Sequence, residues 1–284
     1  MKRCIAAFVA PALAVCTLAA CASTPAAAPP AAPTLAYVLP PVNPADYVFT
    51  DTTAIVTEAP GRVVDTRIEV ATRVTVGFHV DSAGMLASVR IAEVAGQVQS
   101  DGKQLAGADS AAVPADVALL RLTAAGVDTL THAPYMRPGL ARILGGDSFF
   151  HGFFVRLPGM QIEPGVAWTD TLALTDEAGG LTSTTRSIVS SSLQGDTTID
   201  GRIVRVIASR IALTISVRGV VDGSRVEQEL TGTADATTFW DDERGLLVWR
   251  EERGTASGTM TLPELGLTGL PVRATAHRTL SLVQ

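Results

Sequence analysis

Apolar and polar residues alternate with a period of two along most of the chain after Asp46. Val74, Val76, Phe78 and Val80 alternate with Arg73, Thr75, Gly77 and His79. Ile211, Leu213, Ile215 and Val217 alternate with Arg210, Ala212, Thr214 and Ser216. Successive side chains of a strand point to opposite faces, so each run has one apolar and one polar face. A half-buried antiparallel sheet requires that pattern. Turn-forming residues punctuate the runs at Asp81-Ser82-Ala83-Gly84, Ala124-Ala125-Gly126, Gly195-Asp196, Asp222-Gly223 and Asp241 to Gly245. Strands joined by such short turns form meanders, here roughly ten strands.

The period changes once, between residues 134 and 160. Leu140, Ile143 and Leu144 are followed by Phe149, Phe150, Phe153 and Phe154. The phenylalanines pair at spacing four, which puts each pair on one helix face. Pro138 is a suitable start and Pro158 a suitable end, while Gly145, Gly146 and Gly152 weaken a continuous helix. One short helix is expected, or two broken at Gly145-Gly146, packed on the sheet. Four of the eight phenylalanines fall within these six positions.

An internal repeat divides the β-rich remainder. At an offset of 119, Thr50-Asp51-Thr52 lies over Thr169-Asp170-Thr171, and ten of 22 positions agree from Phe49/Trp168 to Val70/Val189. Each copy reads as strand, Glu-Ala-x-Gly turn, strand. The expected fold is therefore mainly β: antiparallel meander sheets forming a half-barrel or larger barrel-like body. Two related halves, 45–132 and 164–284, flank the helical segment 134–160. The period is far too long for a solenoid.

The N-terminus has a different character. Lys2 and Arg3 precede an uncharged, mostly apolar stretch from Ile5 to Leu18, the layout of an export signal rather than a spanning helix. Leu18-Ala19-Ala20-Cys21 resembles the bacterial lipobox. That resemblance implies cleavage after residue 20, lipidation of Cys21 and attachment to a membrane through its acyl chains. With Ala22 after the Cys, it also implies sorting to the outer membrane. Cys16 fits less well, because Val15 occupies the small-residue position. Residues 21–44 hold seven prolines among alanines and are expected to be an extended tether.

Composition narrows the chemistry. The other cysteines, Cys4 and Cys16, lie within the signal, so the folded body has no thiol for a disulfide, a thiolate metal site or a nucleophile. Loss of Lys2 and Arg3 takes the formal charge from −6 to −8. An acidic chain with scattered arginines offers no track for phosphates, so nucleic acid is not an expected partner. No helical His-x-x-x-His pair, P-loop, dinucleotide fingerprint or Gly-x-Ser-x-Gly elbow occurs. Gly145-Gly146-Asp147-Ser148-Phe149 resembles the GGDEF signature of diguanylate cyclases. Ser148 stands where that signature needs an acid, and the alternating βα pattern is missing. The adjoining Gly-Asp-Ser also lacks the downstream Asp-x-x-His of GDSL-type hydrolases. His79 and His277 fall on polar strand faces. His151, among the phenylalanines, is expected to be a buried, hydrogen-bonded imidazole. Asp241-Asp242-Glu243 lacks the ligand spacing of a calcium loop and reads as a solvated hairpin tip, with Trp240 and Trp249 placed to pair across it.

Two segments carry a further resemblance. Leu157-Pro158 to Trp168-Thr169-Asp170 is similar to the "LP…PGxxW" segment of β-rich bacterial lipoproteins. Phe239-Trp240-Asp241 to Val248 is similar to their "F-D-x-x-x-G-L-L" hairpin. That resemblance brings no activity with it. At the level of fold, a curved sheet with helices on its concave side is similar to the unclosed barrels of lipoprotein and lipid carriers such as LolA, LolB and LppX. Beside that resemblance, the expected function is binding of a lipid or other hydrophobic ligand, with the segment that holds Phe149, Phe150, Phe153 and Phe154 as its lid. The alternative is an envelope structural or interaction protein whose phenylalanines only seal a core. No catalytic residue, metal ligand or cofactor is expected, and the chain is not read as an enzyme.

Overall fold

The computed structural model describes residues 33–108, 113–178, 180–221 and 223–283. Cys21, the signal 1–20 and the first part of the tether lie outside them. In chain order the elements are β1 (Thr34–Leu35), β2 (Ala45–Ala59), β3 (Arg62–Asp81), β4 (Gly84–Ser100), β5 (Lys103–Ala108), β6 (Ala118–Leu122) and β7 (Asp128–His132). Helix α1 (Pro138–Leu144) and a 3₁₀ segment (Gly146–Phe153) follow, then β8 (Met160–Gln161) and β9 (Ala167–Ala178). The chain ends in β10 (Leu181–Ile199), β11 (Arg202–Val221), β12 (Ser224–Asp241), β13 (Leu246–Leu262) and β14 (Leu267–Leu282).

Twelve strands form one antiparallel sheet in the order β7-β6-β4-β3-β2-β14-β13-β12-β11-β10-β9, with β5 beside β4. The sheet curls into an open half-barrel, the β-rich meander architecture that the period-two runs predict. The segments on either side of the helical region belong to this single sheet. They are joined where β14 pairs with β2, from Val272 opposite Thr57 to Leu282 opposite Tyr47. The two hairpins at offset 119 share a register. Ala59 lies opposite Arg62, and Ala178 opposite Leu181. Gly61 and Gly180 take the left-handed conformation these two turns need, at φ 76° and 82°.

The curl has a residue-level cause where β12 meets β13. Three successive inward pairs are Leu230/Gly258, Gly232/Ala256 and Ala234/Gly254, each with one glycine. A Cβ on Gly258 would lie 1.9 Å from the Glu229 carbonyl oxygen, and one on Gly232 would lie 2.2 Å from that of Thr255. Bending a sheet crowds the side chains on its concave face, and glycine removes the crowding.

The core fills one end of the half-barrel. Val74, Val76, Val89, Leu120, Leu193, Ile207, Trp240 and Leu246 are buried there. Helix α1 and the 3₁₀ segment plug this end. The break between them falls at Gly145-Gly146, with φ 85° and 68°, and Pro138 occupies the first helical turn.

Several details differ from expectation. The described part of the tether, residues 33–44, is packed. Leu35, Ala36 and Tyr37 are buried, β1 pairs with β8, and the Tyr37 N–H donates to the Ala124 carbonyl at 2.8 Å. The apolar run Leu35-Ala36-Tyr37 finds a groove to fill, which the surrounding prolines obscure. Gly195-Asp196 is a bulge within β10, not a turn, and the chain reverses at Asp200-Gly201. Asp241 is buried rather than solvated. It accepts bonds from the Arg244 backbone N–H at 2.9 Å and from Arg244 Nε at 2.7 Å. A bulge between Phe239 and Trp240 turns Trp240 into the core, so Phe239 rather than Trp240 stacks on Trp249, at 5.2 Å.

Candidate functional site

Between the plug and the concave face lies a chamber of about 390 Å³. Inward side chains of β2, β13 and β14 form one wall, and those of β9, β10 and β11 form the other. The plug contributes Leu144, Phe149 and His151, and the segment after it contributes Phe154 and Arg156.

The four predicted phenylalanines are buried together, but they do different things. Phe149 and Phe154 line the chamber. Phe150 and Phe153 pack into the core, with Phe150 fully inaccessible. A 3₁₀ segment has three residues per turn, so residues three apart align rather than residues four apart. Phe149 meets Phe49 edge-on at 5.6 Å and Phe153 at 5.1 Å. Phe154 lies past the last helical residue in extended backbone and meets Tyr37 at 6.1 Å.

Two clasps hold the plug. At its start, both oxygens of Asp176 on β9 accept from the Ser148 backbone N–H, at 3.0 and 3.2 Å. The neighbouring Asp147 carboxyl is held above its ordinary pKa, by burial and then by the Asp176 charge. After the plug, the Val155 N–H donates to the Tyr37 hydroxyl at 2.7 Å. Burial pushes the Tyr37 phenol up, so it stays protonated.

A polar cluster, unforeseen from the sequence apart from His151, sits beside the phenylalanines. Asp128 on β7 is buried, bonds His151 Nδ1 and takes Arg156 Nη2 at 3.0 Å. Arg156 Nε lies 3.5 Å from Asp170 on β9. The third guanidinium nitrogen, Nη1, is buried without a hydrogen-bond partner among the described residues. His151 is the hydrogen-bonded imidazole that its setting among the phenylalanines implies.

A second set crosses the opposite wall. Asp51, Arg278 and Glu252 occupy adjacent inward positions on β2, β14 and β13. Arg278 Nε lies 2.8 Å from Asp51, and Arg250 Nη2 lies 2.6 Å from Glu252. Burial pushes the Glu252 carboxyl up, and Arg250 and Arg278 more than offset this, leaving it below the usual range. The register continues from Glu252 to Ala236, Ser209 and Ser191, whose hydroxyls share a bond of 2.8 Å. Charges at apolar-phase positions were the available signal. Leu270, Val272, Ala274, Ala276 and Leu280 share one phase of β14, and Arg278 interrupts it.

No protein-family model matches this chain, and no curated protein matches it. Among solved structures, it is similar to one from Bacteroides fragilis described as an exported protein with a YmcC-like fold. The identity is 8% and the TM-score 0.24, over 88% of this chain and all of that one. So remote a likeness leaves the functional reading to the chamber itself.

Proposed function

We propose that this chain is a lipid-anchored protein of the bacterial cell envelope that binds a lipid or other hydrophobic ligand in the chamber, without catalysing a reaction. Cys21 is its lipid anchor, and the outer membrane, facing the periplasm, is its site. The chamber carries the reading. Its volume is in the range of small-molecule sites, and Phe149, Phe154, Ile211, Leu213 and Ile215 give it apolar walls. The export signal and lipobox-like segment support the location. A purely structural role is favoured by one observation: Phe150 and Phe153 are spent on the core.

The test uses the full chain carrying Cys21→Ser, purified without detergent. Native mass spectrometry and titration with a fluorescent fatty acid should reveal a co-purifying or titratable apolar ligand. A protein that carries none and titrates with none is the structural alternative. Separately, fatty-acid labelling in cells should mark the wild type and not Cys21→Ser. Absence of label in the wild type removes the anchor.

A further inference from the structure

The chamber is not uniformly apolar, and its two kinds of lining are separated along the strands. Next to the plug lies the polar level already described: Asp51, Arg278, Glu252, Ser209 and Ser191, faced by Arg156 from the segment that follows the plug. One inward step along the strands from that level, the cross-strand row reads Thr53, Ala276, Gly254, Ala234, Ile211, Val189. The next reads Ile55, Ala274, Ala256, Gly232, Leu213, Ser187, and the one after reads Thr57, Val272, Gly258, Leu230, Ile215, Thr185. On β9 the first of these rows ends at Asp170, the partner of Arg156, and the next two end at Leu172 and Leu174, so past Asp170 these rows bear no charge. Its inward residues on β11, Leu213, Ile215 and Val217, are half-buried. On β14 the chamber lining runs from Leu280 to Ala274, and the same inward phase continues through Val272 and Leu270, which are buried.

The polar end has a donor to spare. Arg156 spends Nη2 on Asp128 and Nε on Asp170, and its buried Nη1 meets no acceptor among the described residues. Nη1 is closed to solvent, so a head oxygen reaches it once the side chains around Arg156 part, and the bond it then makes removes the cost of an unmet buried donor. The charges here do not form a cationic patch, since Arg156, Arg250 and Arg278 face Asp51, Glu252, Asp128 and Asp170. The requirement is for an acceptor oxygen, not for bulk negative charge.

Building on the hydrophobic-ligand reading, we infer that the ligand is a single-chain amphiphile with an acceptor-oxygen head. It binds head-first: the head lies at Arg156 beside the plug, and the chain lies along the sleeve toward the far hairpin turns. A carboxylate and a phosphate monoester share this head chemistry.

Trp168 reports the orientation. It lies on β9 opposite Ser191 at the polar level, and its Nε1 donates to the Arg156 carbonyl at 3.2 Å. Bromine quenches tryptophan fluorescence at short range. The full chain carrying Cys21→Ser is titrated with palmitate brominated beside the carboxylate and with palmitate brominated at the far end. A Trp168→Phe variant isolates the share of quenching due to Trp168. The head-side bromine should quench Trp168 more strongly. Hexadecane and hexadecylamine should bind more weakly than palmitate, and hexadecyl phosphate should compete with it. Arg156→Lys, which keeps the charge but loses the forked donors, should weaken palmitate binding about tenfold. Stronger quenching by the far-end bromine, or hexadecane binding as tightly as palmitate, overturns the head-first arrangement while leaving hydrophobic binding intact. Failure of every apolar probe to bind overturns both. The quenching order is read in a chain with Arg156 intact, so a misfolded Arg156→Lys does not decide the outcome.

Discussion

Phe150 and Phe154 divide the labour of the plug at the level of single residues. Phe150 is fully packed in the core, so Phe150→Ala should cost about 3–5 kcal/mol in chemical denaturation and leave intrinsic ligand affinity unchanged in the folded fraction. Phe154 faces the chamber, so Phe154→Ala should cost less than Phe150→Ala and change affinity more. Equal costs with no effect on binding would show that both rings serve packing alone. Asp147 provides a pH-dependent counterpart. Burial and Asp176 raise its carboxyl pKa above the unfolded value. Folding then favours the protonated form, so stability is lost as pH rises through the unfolded pKa toward the folded one. Asp147→Asn should therefore raise the urea midpoint at neutral pH and give no gain below the ordinary Asp pKa. A gain independent of pH would point to a different cause. The phenylalanine cluster and His151 were legible in the sequence because side chains of their kind stand out in a chain poor in aromatics. Asp128, Arg156 and Asp170 were not, since they lie on three separate elements and only the curl of the sheet brings them together.

The elements most responsible for the chamber's shape are the β12–β13 crease and the N-terminal strap. At the crease, Gly258→Val would drive a side chain into the Glu229 carbonyl, and should cost about 3 kcal/mol or more. Thr259→Val, one residue away on the exposed face, should fall within about 0.5 kcal/mol of wild type. Comparable urea midpoints for the two would remove the role assigned to glycine in the curl. In the strap, Tyr37→Phe takes the acceptor from the buried Val155 N–H and should cost about 1–3 kcal/mol by the same measurement. A neutral result would mean that the strap covers the plug without holding it. The strands themselves were readable because alternation continues for up to 20 residues, as in β3 and β11. The strap was not, because its few apolar residues sit inside a proline-rich stretch whose composition argues for an extended tether. The bulges at Gly195 and at Phe239-Trp240 escaped for a related reason. A one-residue shift in register reverses which face a side chain takes, and alternation alone does not reveal where that shift occurs.

At the scale of the whole molecule, one sheet carries both the core and the chamber. The plugged end supplies stability through closely packed side chains. The same long strands form, beside the plug, an apolar sleeve with a polar base. The mainly β class, the half-barrel and the broken helix follow from alternation, turn chemistry and the Gly145-Gly146 break. Whether the related segments share a sheet depended on the β14–β2 pairing, a contact between residues more than 200 positions apart that no local pattern encodes. The central claim is that the sleeve, rather than the outer surface, receives an apolar chain. Leu213 faces into the sleeve and Thr214 faces outward, one residue apart on β11. Fatty-acid affinity measured for Leu213→Trp and Thr214→Trp therefore tests the claim most directly. The account predicts that Leu213→Trp fills the sleeve and weakens binding by about tenfold or more, while Thr214→Trp binds as wild type does. Equal affinity in both variants, with circular dichroism unchanged, would contradict it.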